Sequence, residues 1–231
     1  KGIETIIFVG GLSGKLEGEE MPVNFPGFKG GDRTNIELPS VQRNCLKALK
    51  QAGKKIIFVN CSGSAIALTP EIETCDAILQ AWYPGESGGQ AVADVLFGDY
   101  NPSGKLPVTF YKNSDQLPDF ENYSMKGRTY RFMEDALFPF GYGLSYTRFE
   151  IGQAKLNKTE INENESVELN IPVKNIGKRD GTEIVQVYIR KVNDTDGPIK
   201  TLRGFQRVIV PSGKTVQAII HLPYTSFEFF D

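Results

Sequence analysis

Histidine occurs once in this chain, at His221. A Ser-His-Asp triad, a Cys-His pair or a His-rich metal site must use that residue or does not exist. Cysteine is nearly as scarce. Cys45, Cys61 and Cys75 make an odd count with no C-x-x-C, and three reduced, half-buried thiols are expected. No apolar run approaches the ~20 residues of a membrane span. Neither sign of charge dominates: 26 basic against 28 acidic residues give a net −2, which is no nucleic-acid footprint. Lys1-Gly2-Ile3 enters a strand pattern without an initiator Met. That reads as a fragment of a longer chain and leaves the compartment open. Asn-x-Ser/Thr triplets such as Asn122-Tyr123-Ser124 are too common to indicate glycosylation.

What is present is an ordinary composition, 40% hydrophobic and 23% charged over 231 residues, enough for one or two domains. The rest is organised around the stretch from Gly10 to Arg33, GGLSGKLEGEEMPVNFPGFKGGDR. It holds seven glycines, two prolines and the clustered Glu17, Glu19 and Glu20. A strand-type run, Thr5-Ile6-Ile7-Phe8-Val9, precedes it, and Leu38-Pro39-Ser40 opens a helical pattern after it. A loop beyond ~15 residues without periodicity is uncommon in a compact domain and often functional. Open α/β sheets place their sites where strand ends open into loops. This loop is therefore the candidate carrier of an active-site acid.

Residues 1–112 alternate strand and helix signals. Strands are expected at Glu4–Val9, Lys55–Asn60, Cys75–Trp82 and, with Pro107 marking an edge, Leu106–Tyr111. Helices are expected at Ser40–Ala52, with Val41, Cys45, Leu46 and Leu49 on the inner face and Gly53 as the stop, and at Gly89–Phe97, closed by Gly98. Residues 62–74 read as loop with at most a short helical turn. The alternation predicts an α/β sandwich domain, a largely parallel sheet with flanking helices. Residues 113–147 are aromatic-rich without a clear period and read as a packed interdomain segment. From 148 to 231 the period becomes two: Val167, Leu169, Ile171 and Val173 alternate with polar positions, as do Val216, Ala218, Ile220 and Leu222. Several strands at short spacing predict an all-β sandwich. His221 falls on the outward parity, which weakens any catalytic role for it.

Three motifs compete for the chemistry. Gly85-Glu86-Ser87-Gly88-Gly89 matches the G-x-S-x-G elbow between a strand and a helix, but its base would have to be the outward-facing His221. A glycine-rich turn opening a helix is the simpler account. Gly10–Lys15 approaches a P-loop, yet the glycine spacing is one residue short and Leu16 stands where Ser or Thr should be. The glutamate cluster fits no EF-hand spacing. A solvated acidic loop is its bland reading. Like charges a few ångströms apart raise one another's pKa, and a raised carboxyl is what a general acid for glycoside cleavage requires. Asp32 and Arg33 suggest an ion pair pinning the far end of the loop.

Longer motifs carry a resemblance. They are Ala81-Trp82-Tyr83-Pro84-Gly85-Glu86-Ser87-Gly88-Gly89, Ala93 to Asp99, Asn101 to Thr109, Gly127-Arg128-Thr129-Tyr130-Arg131 and Leu137 to Tyr146. Later come Val173 to Gly177, Val185 to Ile189 and Leu202 to Val208. In this order they resemble the C-terminal part of a glycoside hydrolase family 3 β-glycosidase, with a fibronectin-III-like domain at the end. The resemblance implies a retaining exo-β-glycosidase of β-xylosidase or β-glucosidase type, with no cofactor or metal. An N-terminal (β/α)8 barrel would supply the aspartate nucleophile. The sandwich domain would supply the acid/base glutamate on the loop described above. Aligned from Gly11-Leu12 that residue is Glu19; aligned on the Glu-Gly pair it is Glu17. The ungapped choice, Glu19, is favoured, and Glu20 stands where glycine is usual.

Arg33, Asp32 and Glu17 are candidates for orienting the loop, and Glu86 for a polar group near the mouth. The partners implied are a β-linked oligosaccharide or aryl glycoside and the barrel, with neither nucleic acid nor membrane. The family points to the periplasm or to secretion. The resemblance also marks both ends as incomplete: the sandwich domain starts late, and the chain stops at Phe229-Phe230-Asp231 before a last strand. The chain alone is expected to be inactive. A non-catalytic carbohydrate-binding or scaffolding module is the rival.

Overall fold

The structure, a computed structural model, describes residues 2–17 and 21–229. In chain order the elements are β1 (Thr5–Gly11), α1 (Gly14–Glu17), β2 (Asn24–Phe25), β3 (Phe28–Lys29), β4 (Asp32–Arg33), α2 (Ser40–Gln51), β5 (Lys55–Cys61), α3 (Thr69–Thr74), β6 (Ala77–Gln80), α4 (Gly88–Phe97) and α5 (Thr129–Phe132). Then follow β7 (Phe149–Ile151), β8 (Lys155–Leu156), β9 (Ser166–Asn175), β10 (Gly181–Ile189), β11 (Thr201–Val210) and β12 (Thr215–Pro223). Two compact units form. The first comprises Lys1–Ala93, Val108–Gly127 and Asp135–Pro139; the second comprises Asp94–Pro107, Arg128–Glu134 and Phe140–Asp231.

The first unit holds the parallel sheet, in order β1-β5-β6. Thr5 pairs with Lys55 and the register runs to Gly11 with Cys61, while Ile57 to Asn60 pair with Ala77 to Gln80. The apolar run Ile56-Ile57-Phe58-Val59 reads as a buried central strand, and Ile56, Phe58 and Val59 are at most 1% exposed.

Two expected features come out differently. Helix α2 turns Gln42, Arg43, Leu46 and Leu49 inward, and Val41 and Cys45 face out. Polar side chains take the inner face because each has a fixed partner there. Gln42 Oε1 accepts the Gly11 N–H at 2.8 Å and Gln42 Nε2 donates to the Gly11 carbonyl at 2.7 Å. Arg43 Nε meets Glu71, which is 1% exposed, at 2.7 Å. Breaking a buried ion pair by removing one partner costs about 3–5 kcal/mol, so the inward orientation of Arg43 is strongly held. Leu106–Tyr111 adds no strand to the sheet. Phe110 makes an isolated antiparallel bridge to Phe138. Pro107 removes a backbone donor that a sheet strand would need.

The Gly10–Arg33 stretch is more ordered than its lack of period suggests. Ser13 starts α1, accepting the Leu16 N–H on Oγ at 3.2 Å. Next comes a small meander, β2-β3-β4. Pro26-Gly27 makes its first turn, with Gly27 at φ +94°. Gly30-Gly31, at φ +64° and +81°, make the second, the double left-handed geometry of a tight hairpin. Leu12, Val23 and Phe28 are buried beneath it.

Glu37 ties this region to residue 114. Its carboxylate accepts the Ser114 N–H at 3.0 Å and the Ser114 O–H at 2.8 Å. Burial works to raise the Glu37 carboxyl, but these bonds outweigh it and hold the pKa below the ordinary value. A carboxyl depressed on folding contributes stability fully present above its unfolded pKa of about 4.3, and loses it as pH falls through the folded value. Acidification from neutrality should therefore cost the wild-type chain more stability than Glu37→Gln. Urea midpoints at pH 7 and at pH values below the carboxylate range test this, and parallel acid limbs would refute it.

The second unit carries the β-sandwich. One sheet is β10-β11, antiparallel, with a register shift between Val187 and Tyr188. The other is β12-β9-β7, with β8 also paired to β9. The period-two expectation holds. Val167, Leu169, Ile171 and Val173 from β9 and Ala218, Ile220 and Leu222 from β12 bury against Val185, Val208 and Val210. His221 lies opposite Glu168 and faces out, Nδ1 standing 3.8 Å from the carboxylate. Aromatic residues of the 113–147 stretch pack within this unit as well: Tyr130 stacks on Phe140 at 4.4 Å and meets Tyr188 edge-on.

Candidate active site

The site is assembled where the parallel strands end. Chain leaving β1 runs into α1 and ends at Glu17; chain leaving β5 brings Ser64; chain leaving β6 brings Tyr83. All three loops lie at the carboxyl edge of the sheet, where α/β sheets place ligands. The fourth member, Arg33, comes from β4.

Their hydrogen bonds converge on Glu17. The Ser64 hydroxyl donates to Glu17 Oε1 at 3.2 Å, and the Tyr83 hydroxyl donates to Oε2 at 2.8 Å. Arg33 Nη1 donates to Ser64 Oγ at 2.9 Å, and Arg33 Nε to the Asn35 carbonyl at 3.2 Å. Burial lowers the Arg33 pKa, while Glu17, Glu37 and Asp32 pull it back up. The Tyr83 pKa is raised, first by burial and then by its bond to Glu17. That keeps the phenol protonated and a donor.

Two backbone features seat Tyr83. Trp82 adopts φ +56°, a conformation bulky side chains rarely take, and its ring lies edge-on to Phe110. Gly63 leaves the space for the Tyr83 ring: a Cβ there would come within 2.5 Å of it. Ser64 is held from below, because its carbonyl accepts the Ser62 hydroxyl at 2.8 Å. Ser62 and Asn60 are fully buried and bonded to Gln80.

The other sequence candidates fall as follows. Glu19 lies outside the described residues, with Gly18 and Glu20. Asp32 does not form the expected ion pair with Arg33. Its carboxylate instead accepts the Arg33 backbone N–H at 2.7 Å, a short-range turn contact that leaves the Arg33 side chain to reach Ser64. Glu86 is exposed in the turn before α4 and takes no part in the Glu17 network. Ser87 is exposed in the same turn, and the one histidine of the sequence, His221, sits beside Glu168 in its own sheet. The three cysteines are free, and Cys45 is exposed rather than half-buried. Among the described residues no cluster of three His, Cys, Asp or Glu is arranged to hold a metal ion. No helix among them is long and apolar enough to cross a membrane.

The family model described as "Glycosyl hydrolase family 3 C-terminal domain" matches residues 1–146. The chain belongs to that family. A "Fibronectin type III-like domain" model matches residues 183–231 of this family 3 chain. Among curated relatives, a xylan 1,4-beta-xylosidase of Xylanibacter ruminicola is 64% identical over 231 residues, all of this chain and 27% of the relative. A periplasmic beta-glucosidase of Salmonella typhimurium is 39% identical over 84% of this chain and 28% of the relative. Among solved structures, a β-glucosidase of Erythrobacter marinus superposes with TM-score 0.82 at 37% identity, over 99% of this chain and 30% of that one. A β-glucosidase of Listeria innocua in complex with glucose gives 0.80 at 27% identity, over 98% of this chain and 32% of that one. The family 3 chain thus spans about three-tenths of the length of the relatives it matches.

Sequence reasoning singles out Glu17 and Arg33, and not Ser64 and Tyr83, to which the structure joins them. Gly63-Ser64 reads only as a turn, and Tyr83 only as part of a family motif. The usable signal was positional: both follow the ends of the other two strands of the parallel sheet, β5 and β6.

Proposed function

We propose that this chain supplies the general acid/base of a retaining β-glycosidase, and that Glu19 is that residue. One observation carries the choice between the two glutamates. Both carboxylate oxygens of Glu17 are engaged by hydroxyl donors rooted in the sheet. A carboxylate so held serves as an anchor. Glu19, two residues on, is the other glutamate that the family alignment offers for the proton-transfer role.

In the first step Glu19, protonated, donates to the leaving oxygen. In the second, ionised, it activates the water that releases the glycosyl-enzyme. The nucleophile would be the aspartate of a (β/α)8 barrel in the longer protein, since retention needs two carboxyl groups ~5–5.5 Å apart across the bond. The named relatives support a β-xyloside or β-glucoside as substrate. A periplasmic or secreted site of action is supported by the name of the Salmonella relative. The isolated chain should show no turnover of aryl β-xylosides or β-glucosides; measurable turnover would overturn the division of labour.

A second reading, carbohydrate binding without chemistry, is favoured by one feature. Phe120 and Tyr123 project from the 117–127 loop at 94% and 90% exposure, a geometry suited to stacking on sugar rings. Calorimetric titration of the chain with xylo-oligosaccharides distinguishes the two. No heat of binding is expected on the enzyme-part reading.

A further inference from the structure

Within the acid/base reading just given, we infer that Ser64 and Tyr83, with Arg33 behind them, form a positioning clamp on Glu17 that holds the adjoining acid/base segment in working register. None of the three touches the reacting atoms in this proposal. They act through Glu17, which acts through the chain.

Geometry carries the inference. The loop that bears the glutamates leaves the sheet at Gly11, and its later part is tied down by the β2-β3-β4 meander ending at Arg33. Between those ends Glu17 is bonded at once to the loops that follow the other two strands of the sheet, through Ser64 after β5 on one oxygen and Tyr83 after β6 on the other. Each donor is itself fixed. Ser64 accepts from Arg33 Nη1 and is held through its carbonyl by buried Ser62. The Tyr83 ring occupies the space that Gly63 leaves open. Glu19 is two residues on from Glu17, so in this proposal a shift at Glu17 is passed to it along the chain. Displacing a catalytic group by ~1 Å can cost ~10²-fold in rate.

Exposed hydrogen bonds of this kind add little to overall stability, about 0.5–1.5 kcal/mol each. A set that gathers three loops around one carboxylate has a clearer use in register than in stability. Arg33 adds a second layer. Its guanidinium is half-buried, and Nη2 finds no acceptor among the described residues.

The test uses the full-length protein that contains this chain, with Ser64→Ala, Tyr83→Phe, Ser64→Thr and, as reference, Glu19→Ala. For each, kcat/KM, which reports the glycosylation step, is measured on β-1,4-xylobiose and on 2,4-dinitrophenyl β-xyloside. The first substrate needs a proton for its leaving group; the second does not. Ser64→Ala and Tyr83→Phe should each lose roughly tenfold or more on xylobiose, an estimate scaled from the cost of misplacement, while changing little on the dinitrophenyl substrate. Ser64→Thr keeps the hydroxyl and should recover most of the loss. Equal losses on both substrates would mean general damage to the fold and overturn the clamp, as would no loss on either. If Glu19→Ala shows the leaving-group-dependent loss and the clamp variants do not, the clamp fails and the acid assignment stands. If Glu19→Ala is silent, the acid assignment itself has failed, and the clamp with it.

Discussion

Glu19→Ala in the full-length protein is expected to lower kcat/KM on β-1,4-xylobiose by about 10²–10⁴-fold, the usual contribution of a positioned general acid–base group. The loss should depend on the leaving group. A sugar alkoxide leaves poorly without a proton, so xylobiose is hit hardest. A dinitrophenolate departs unaided, and its glycosylation step should be nearly untouched. Release of the glycosyl-enzyme still needs a base, so kcat on the activated substrate should fall. Azide, a nucleophile that needs no deprotonation, should restore it and give a β-glycosyl azide. Glu17→Ala should show smaller losses without azide rescue, because in the proposed division of roles its carboxylate, bonded to Ser64 and Tyr83, anchors the loop rather than transferring protons. Rescue of Glu17→Ala by azide, with Glu19→Ala unaffected, would reverse the two roles.

The second large effect concerns Gly11, where β1 gives way to the glutamate loop. Gly11 has φ +118°, and a Cβ built there would lie 2.1 Å from the Cys61 carbonyl oxygen. That oxygen accepts the Leu12 N–H at 2.8 Å, so it cannot withdraw without breaking the exit from the strand. Gln42 holds both backbone polar groups of Gly11, which blocks the other direction. Gly11→Ala therefore meets backbone strain of about 1–3 kcal/mol and overpacking of similar size, about 1–3 kcal/mol. Against a typical domain stability of about 5–15 kcal/mol, that is a large fraction. Gly30→Ala is the internal control. It also has a left-handed φ, +64°, but open space around the added carbon, so it should cost only the strain. The urea midpoint of Gly11→Ala should fall well below that of Gly30→Ala. Equal midpoints would show that the close approach to Cys61 is relieved by movement.

Where the sequence was legible, one dominant local force decided the outcome. Strict alternation along Val167–Val173 and Val216–Leu222 has only one consistent reading, because one face of a strand must be buried, and Val167, Leu169, Ile171, Val173, Ala218, Ile220 and Leu222 are buried, with Val216 partly so. The Ile56–Val59 run, too apolar for a surface strand, became the centre of the parallel sheet. Where the reading failed, a partner distant in sequence had reversed a local preference. The inner face of α2 reads as Val41, Cys45, Leu46 and Leu49. Gln42 and Arg43 displace the first two because Gly11 and Glu71 offer them hydrogen bonds an apolar side chain cannot make. The 106–111 run has strand composition, yet Phe110 finds its backbone partner in Phe138, and no local pattern announces that.

The sequence by itself determined the two architectures, their order, and the family, since periodicity and motif order are local properties that survive without coordinates. It also put forward the glutamates of a single loop as candidates for the chemistry. Only the tertiary structure decided which groups Glu17 meets. Its donors are 47 and 66 residues away along the chain and meet it because parallel strands deliver their carboxyl ends to one edge of the sheet. A hydrogen bond requires atoms within about 3 Å, and folding alone brings these three loops that close.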